Sequence, residues 1–82
     1  MTARELITKT AEEAGFVNKS TEDEIRYWNI DQWKLGRKYL RVQFDGLGRV
    51  RDASWGNGRT SKVFIRKDLK TQIVSKISEF TQ

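Results

Sequence analysis

Residues 39–55, YLRVQFDGLGRVRDASW, most constrain the fold of this 82-residue chain. Tyr39 to Phe44 alternates cleanly, with Leu40, Val42 and Phe44 on one side and Tyr39, Arg41 and Gln43 on the other. Asp45-Gly46-Leu47-Gly48 is a hairpin signal, and Arg49 to Trp55 reads as the return strand. A hairpin with one apolar side is unstable alone and needs a cover. A five-residue loop sets Phe44 opposite Val50, but then turns Asp52 inward beside Val42. A bulge near Arg51–Asp52 removes that conflict and is expected.

Two helical stripes can supply the cover. Thr2-Ala3-Arg4-Glu5 is a capping box, and Leu6, Ile7, Thr10, Ala11 and Ala14 follow at helical spacing. Gly15 suits a left-handed stop, with Phe16 and Val17 packing behind it. A helix is expected over 3–14, its exposed face carrying Glu5, Lys9, Glu12 and Glu13. Leu69, Ile73, Ile77 and Phe80, with Val74 beside them, predict a second helix over 67–80. Asp68 could cap it, or Ser61 could cap a longer one. Val63-Phe64-Ile65 is either part of that helix or a short fourth strand.

Asn18 to Asp23 reads as a polar loop. EIRYWNI, 24–30, is rich in strand formers and reads as a further strand, with Trp28 in the core beside Phe44. DQWKLGRK, 31–38, reads as a basic connection that exposes Trp33 for base stacking or for a protein partner. Trp55 reads as a lid on the sheet edge. The whole of 1–82 is then one two-layer α+β domain. It has three antiparallel strands, or four, with both helices on one face.

Composition narrows the chemistry. The chain has no Cys, no His and no Pro. Disulfides, a structural zinc and His- or Cys-based catalysis are excluded. Carboxylate catalysis by Glu22, Asp23 and Glu24 is a distant reading, because those three suit a solvated loop. The expectation is a protein without enzyme activity or cofactor. No run approaches the ~18 apolar residues of a membrane helix. MTARELITKTAEEAG has acids and no apolar stretch, unlike a signal peptide. A cytoplasmic protein, monomeric or homodimeric, is expected.

The net charge of +5 is unevenly distributed. Residues 1–32 hold four basic and seven acidic residues. Residues 33–67 hold ten basic residues (Lys34, Arg37, Lys38, Arg41, Arg49, Arg51, Arg59, Lys62, Arg66 and Lys67) against Asp45 and Asp52. Such a regional excess, rich in arginine, points to a polyanion, and these ten are the candidate nucleic-acid contacts. The competing reading is a solvated surface that keeps a small protein soluble.

WGNGRTSK, 55–62, invites a nucleotide-loop reading, but its spacing fits neither glycine fingerprint. Its glycines read as turn geometry. If a helix starts near Ser61, the amides and Lys62 would form an anion site.

Helix, three strands and helix in about 80 residues resembles the double-stranded RNA-binding domain. ELITKTAEEAG resembles that family's first helix. YLRVQFDGLGRVRDASWGNGRTSK resembles its later strands and the G-x-G-x-[ST]-K entry to its second helix. The resemblance implies phosphate contacts from Lys62, Arg66 and Lys67, with Lys34, Arg37 and Lys38 in the minor-groove loop. The family's Gly-Pro-x-His signature and paired lysines are absent. A second likeness is to the three-stranded-sheet DNA-binding arms of phage and transposon integrases, through Gly36 to Gly48. It implies a sheet face in the major groove, with Arg41, Gln43 and Arg51 reading bases or phosphates. The chain also resembles small phage accessory proteins that bind one host protein, which implies an exposed aromatic patch.

Overall fold

The computed structural model describes residues 1–81 and orders them as helix, five strands and helix. These are α1 (Ala3–Glu13), β1 (Val17–Asn18), β2 (Ile30–Leu35), β3 (Lys38–Phe44), β4 (Val50–Gly56), β5 (Ser61–Val63) and α2 (Leu69–Phe80). A single wide helical turn, Glu24–Trp28, lies between β1 and β2. The strands form one antiparallel meander in the order β1-β2-β3-β4-β5. The α+β class is the expected one, with five strands where three or four were expected.

The capping box at Thr2 and Glu5 forms, and Gly15 takes φ +94° just beyond the helix. One core joins both helices to the same side of the sheet. Ile7 and Ala11 come from α1, and Ile73, Ile77 and Phe80 from α2. Trp33, Leu40, Val42, Phe44 and Ala53 come from the strands. The expected stripes are therefore the packed ones. Trp55 is half-buried beneath α2, its ring 5.8 Å from that of Phe80.

The bulge expected in the return strand is present. Phe44 faces Val50, the register shifts, and Gln43 faces Asp52. Arg51 is the extra residue. Val50 and Ala53 both turn toward the core, so Arg51 and Asp52 both turn away. An acid that simple alternation would bury is thereby returned to solvent.

Residues 21–38 differ from the expectation. Thr21 and Glu24 form a second capping box: the Thr21 amide donates to Glu24 Oε1 at 2.9 Å and the Glu24 amide to Thr21 Oγ1 at 3.1 Å. This starts a helical turn where a strand over 24–30 was expected. Asn29, left-handed at φ 53°, ends the turn and hands the chain to β2. The supposed basic loop 31–38 is mostly β2, closed onto β3 by the two-residue turn Gly36-Arg37, with Gly36 at φ +61°. The two tryptophans exchange roles. Trp33 is 2% exposed and in the core, whereas Trp28 is 60% exposed on the turn.

Val63 belongs to a strand, not to a helix. α2 begins at Leu69 rather than 67, and Asp68 sits before it in a left-handed conformation with no side-chain cap bond. Gln72 takes over the local bonding, its side-chain amide donating to Ile65 O at 2.8 Å and also to Lys67 O. Among the described residues no helix is long and apolar enough to cross a membrane.

Candidate nucleic-acid interface

Both helices cover one side of the sheet, so the other side is the candidate surface. Register assigns its residues. Lys34, Tyr39 and Gly56 lie in one row, Gln32, Arg41 and Ser54 in the next, and Ile30, Gln43 and Asp52 in the third. Residues directly opposite share a face. Arg51 joins them through the bulge. Arg41, Gln43, Asp52, Ser54 and Val63 border a shallow hollow of about 170 Å³.

The β1–β2 connection flanks this face. Gln32 Nε2 donates to Glu24 Oε2 at 2.5 Å, and Gln43 Nε2 to the Trp28 carbonyl at 3.3 Å. These bonds fix the Glu24–Trp28 turn at the β2 side, with Tyr27 and Trp28 exposed. Glu24 is held below the usual carboxylate range by the Thr21 amide first, then by the Gln32 side chain, with a contribution from the Arg41 charge.

Tyr39 lies flat across Gly56. A Cβ at position 56 would stand 2.1 Å from Tyr39 Cε1 and 2.5 Å from Cζ, so the ring would have to leave the face. Gly56→Ala is expected to cost about 1–3 kcal/mol, an overpacking cost. Gly46→Ala, with nothing within 4 Å of the added carbon, is the control, expected within about 0.5 kcal/mol of wild type. Urea denaturation of the two variants checks both.

The ten basic residues do not share one surface. Lys34, Arg41 and Arg51 stand on the open face. Arg37 and Arg59 stand at one end of the sheet, in the β2–β3 and β4–β5 turns. Those turns touch, since a Cβ on Gly58 would meet Arg37 Cβ at 2.8 Å. Arg66 reaches the opposite end of the face, 3.3 Å from Asp52 Oδ2. The remaining four lie elsewhere. Lys38 follows the inward register of Leu40 and donates from Nζ to the Phe80 carbonyl at 2.5 Å, capping α2. Arg49 is paired within its own hairpin to Asp45 at 2.7 Å. Lys62 shares the helix side with Trp55. Lys67 lies by the start of α2 with Arg49, Arg66 and Lys70. Trp33, expected as an exposed stacking residue, is withdrawn into the core because its strand register turns it inward.

The anion site considered for Arg59 to Lys62 does not form. Asn57 Oδ1 accepts from the Arg59 and Thr60 amides at 2.9 Å each, so the turn consumes its own donors. Ser61 to Val63 then continue as β5. The turn-geometry reading of WGNGRTSK therefore accounts for its glycines, with Gly58 at φ +91°.

Only α1 carries more acid than base, with Glu5, Glu12 and Glu13 against Arg4 and Lys9. Glu5, Glu12 and Glu13 of α1, with Lys9 and Arg4, line a hollow beside Leu47 and the glycines of the β3–β4 turn. Three carboxylates in the fold are held low by local donors. Glu5 is lowered by the Thr2 amide and then the Thr2 hydroxyl; Asp45 by the Arg49 amide, then its side chain and the Leu47 amide; Glu24 as above. A carboxylate depressed by folding adds stability above its ordinary pKa and loses it as pH falls through the folded value. Stability is thus expected to fall on the acid side of the usual carboxylate range. Asp45→Asn should flatten that acid limb in urea midpoints measured against pH.

No family model, curated protein or solved structure matches this chain. Fold and site define its class: a two-layer α+β domain whose sheet is helix-covered on one face and cationic on the other.

Proposed function

We propose that this chain is a small, non-catalytic nucleic-acid-binding module that receives its ligand on the open face of the sheet. The observation that carries the reading is the convergence of Lys34, Arg41 and Arg51 on the face left free by both helices, beside Tyr39, Gln43 and Ser54. Arg37, Arg59 and Arg66 extend the cationic path to both ends. Cations would neutralise phosphates, while Arg41 and Gln43 offer donors to base edges. Of the two nucleic-acid family likenesses, the sheet-face mode has the better support. The helix-led mode would set an acidic α1 against phosphates, and its second helix begins seven residues beyond Lys62.

Fluorescence anisotropy with duplex DNA, duplex RNA and single strands tests this directly. Binding should weaken steeply with salt. A slope of about −3 in log K against log salt is expected if three or four phosphates are neutralised. Arg41→Ala/Arg51→Ala should reduce that slope, whereas Lys9→Ala should not. No binding to any of these ligands at low salt would sink the reading.

One observation favours a second reading, a protein-binding accessory of the phage type. Ile25, Tyr27 and Trp28 are exposed together on one anchored turn. Its mark would be a stoichiometric protein retained from nuclease-treated lysate by wild type and lost by Trp28→Ala.

A further inference from the structure

Gly56 belongs to the open side of the sheet, yet it is buried. Its cross-strand partner Tyr39 covers it, and the tyrosine ring occupies the space that a Cβ at 56 would take. The ring therefore lies along the sheet rather than standing off it. One ring face backs on Gly56. The other meets solvent, since both helices pack on the opposite side and Tyr39 is only half-buried. An aromatic ring laid on an open cationic sheet is a platform for a base.

A second aromatic stands toward the other end of the same face. Glu24 bonds Gln32 and lies in the field of Arg41, both open-face residues. Trp28 follows Glu24 by four residues, close to one turn of so wide a helix, and so shares its side. The Trp28 carbonyl accepts from open-face Gln43, and the residue is 60% exposed. Tyr39 and Gln43 are four residues apart along β3, about 13 Å. Arg41 stands between them, and Lys34 stands beside Tyr39.

Cations at this face are free to meet phosphates. Lys34, Arg41 and Arg51 make no ion pair among the described residues. Two acids stand there and both are engaged, Asp52 with Arg66 and Glu24 with the Thr21 amide and Gln32. Stacking then selects among nucleic acids. Inside a duplex both faces of each base are covered by its neighbours, whereas an unpaired base offers a bare ring. We propose that the open face takes single-stranded nucleic acid, with one base stacked on Tyr39, another on Trp28, and the intervening backbone on Lys34 and Arg41. The proposal rests on the nucleic-acid reading and narrows its ligand to unpaired strands.

Anisotropy at low salt tests it, with a fluorescein-labelled strand of about sixteen nucleotides that does not self-pair, compared with its blunt duplex. The strand should bind about 10-fold more tightly than the duplex. Tyr39→Ala and Trp28→Ala should each weaken strand binding about 10-fold and leave duplex binding unchanged. Tyr39→Phe keeps the ring and should bind like wild type. Trp28→Ala alters only an exposed side chain, so it decides the matter even if Tyr39→Ala fails to fold. The unlabelled strand should also quench tryptophan fluorescence, and Trp28→Phe should remove that quenching. Equal affinity for strand and duplex, or strand affinity unchanged in Trp28→Ala, would overturn the proposal. The nucleic-acid reading would survive either result if Arg41→Ala/Arg51→Ala still weakened both ligands. Loss of a lysate protein from Trp28→Ala with strand binding intact would assign the turn to the protein-binding reading, and overturn the proposal likewise. No binding of strand or duplex would overturn both the proposal and the reading beneath it.

Discussion

Arg4→Met is expected to cost about 3 kcal/mol, among the largest effects of any single change outside the apolar core. Arg4 binds Asp31 with both forks: Nε to Oδ2 and Nη2 to Oδ1, each at 3.1 Å. Nη1 reaches Asn29 Oδ1 at 3.4 Å, and the guanidinium lies 5.0 Å above the Phe44 ring. The Asp31 side chain is only 7% exposed. Removing the arginine leaves that carboxylate buried without its charge partner, and loosens α1 from β2. For a domain this size the loss corresponds to a fall in Tm of about 12–24 °C. Arg4→Met/Asp31→Leu should recover most of it, since an apolar pair avoids the desolvation that the ion pair must overcome. Thermal unfolding of both variants checks this. A loss below about 1 kcal/mol for Arg4→Met would mean that the pair does not hold the helix to the sheet.

Trp33→Ala should cost about 4 kcal/mol and bring the chain near unfolding. Trp28→Ala should stay within about 0.5 kcal/mol of wild type, as for an exposed residue. The contrast follows from placement: both are tryptophans five residues apart, one turned into the buried core by its strand register, the other exposed on the flanking helical turn. Trp33 Nε1 is buried with no hydrogen-bond partner among the described residues. Trp33→Phe therefore removes no bond, and should cost clearly less than the alanine change. Urea unfolding of the three variants measures all of this. Equal losses from the two alanine variants would contradict the assigned faces.

Much of this fold is written locally. The Thr2–Glu5 box, the stripes of α1 and α2, and the Leu40-Val42-Phe44 alternation are readable because each obeys one period. The bulge is readable too, since burying Asp52 would be too costly. Residues 21–38 carry conflicting local signals. Thr21-Glu22-Asp23-Glu24 repeats the capping pattern of Thr2 to Glu5, yet strand-forming Ile25, Tyr27 and Trp28 dominate the following window. Leu35-Gly36-Arg37-Lys38 holds a two-residue hairpin turn of the Gly-X type. β2 itself was hidden by Asp31, an acid at an inward position. Its partner, Arg4, lies 27 residues earlier, so no local pattern shows that the charge is satisfied.

The cations were legible in number but not in direction. Alternation alone shows that Lys38 shares the Leu40 side and that Arg41 does not. Arg51 needs the bulge, Arg66 needs Asp52 across the sheet edge, and Lys62 needs the strand that the helical alternative competed with. Only the assembled sheet shows which of them stand together.

A residue-resolved NMR titration with a short oligonucleotide at low salt is the most direct measurement of an open-face interface. Amide shifts should concentrate at Lys34, Tyr39, Arg41, Gln43, Arg51 and Ser54, fade with added salt, and leave α1 unmoved. Shifts centred on α1 and the start of α2, or no shifts at low salt, would contradict it.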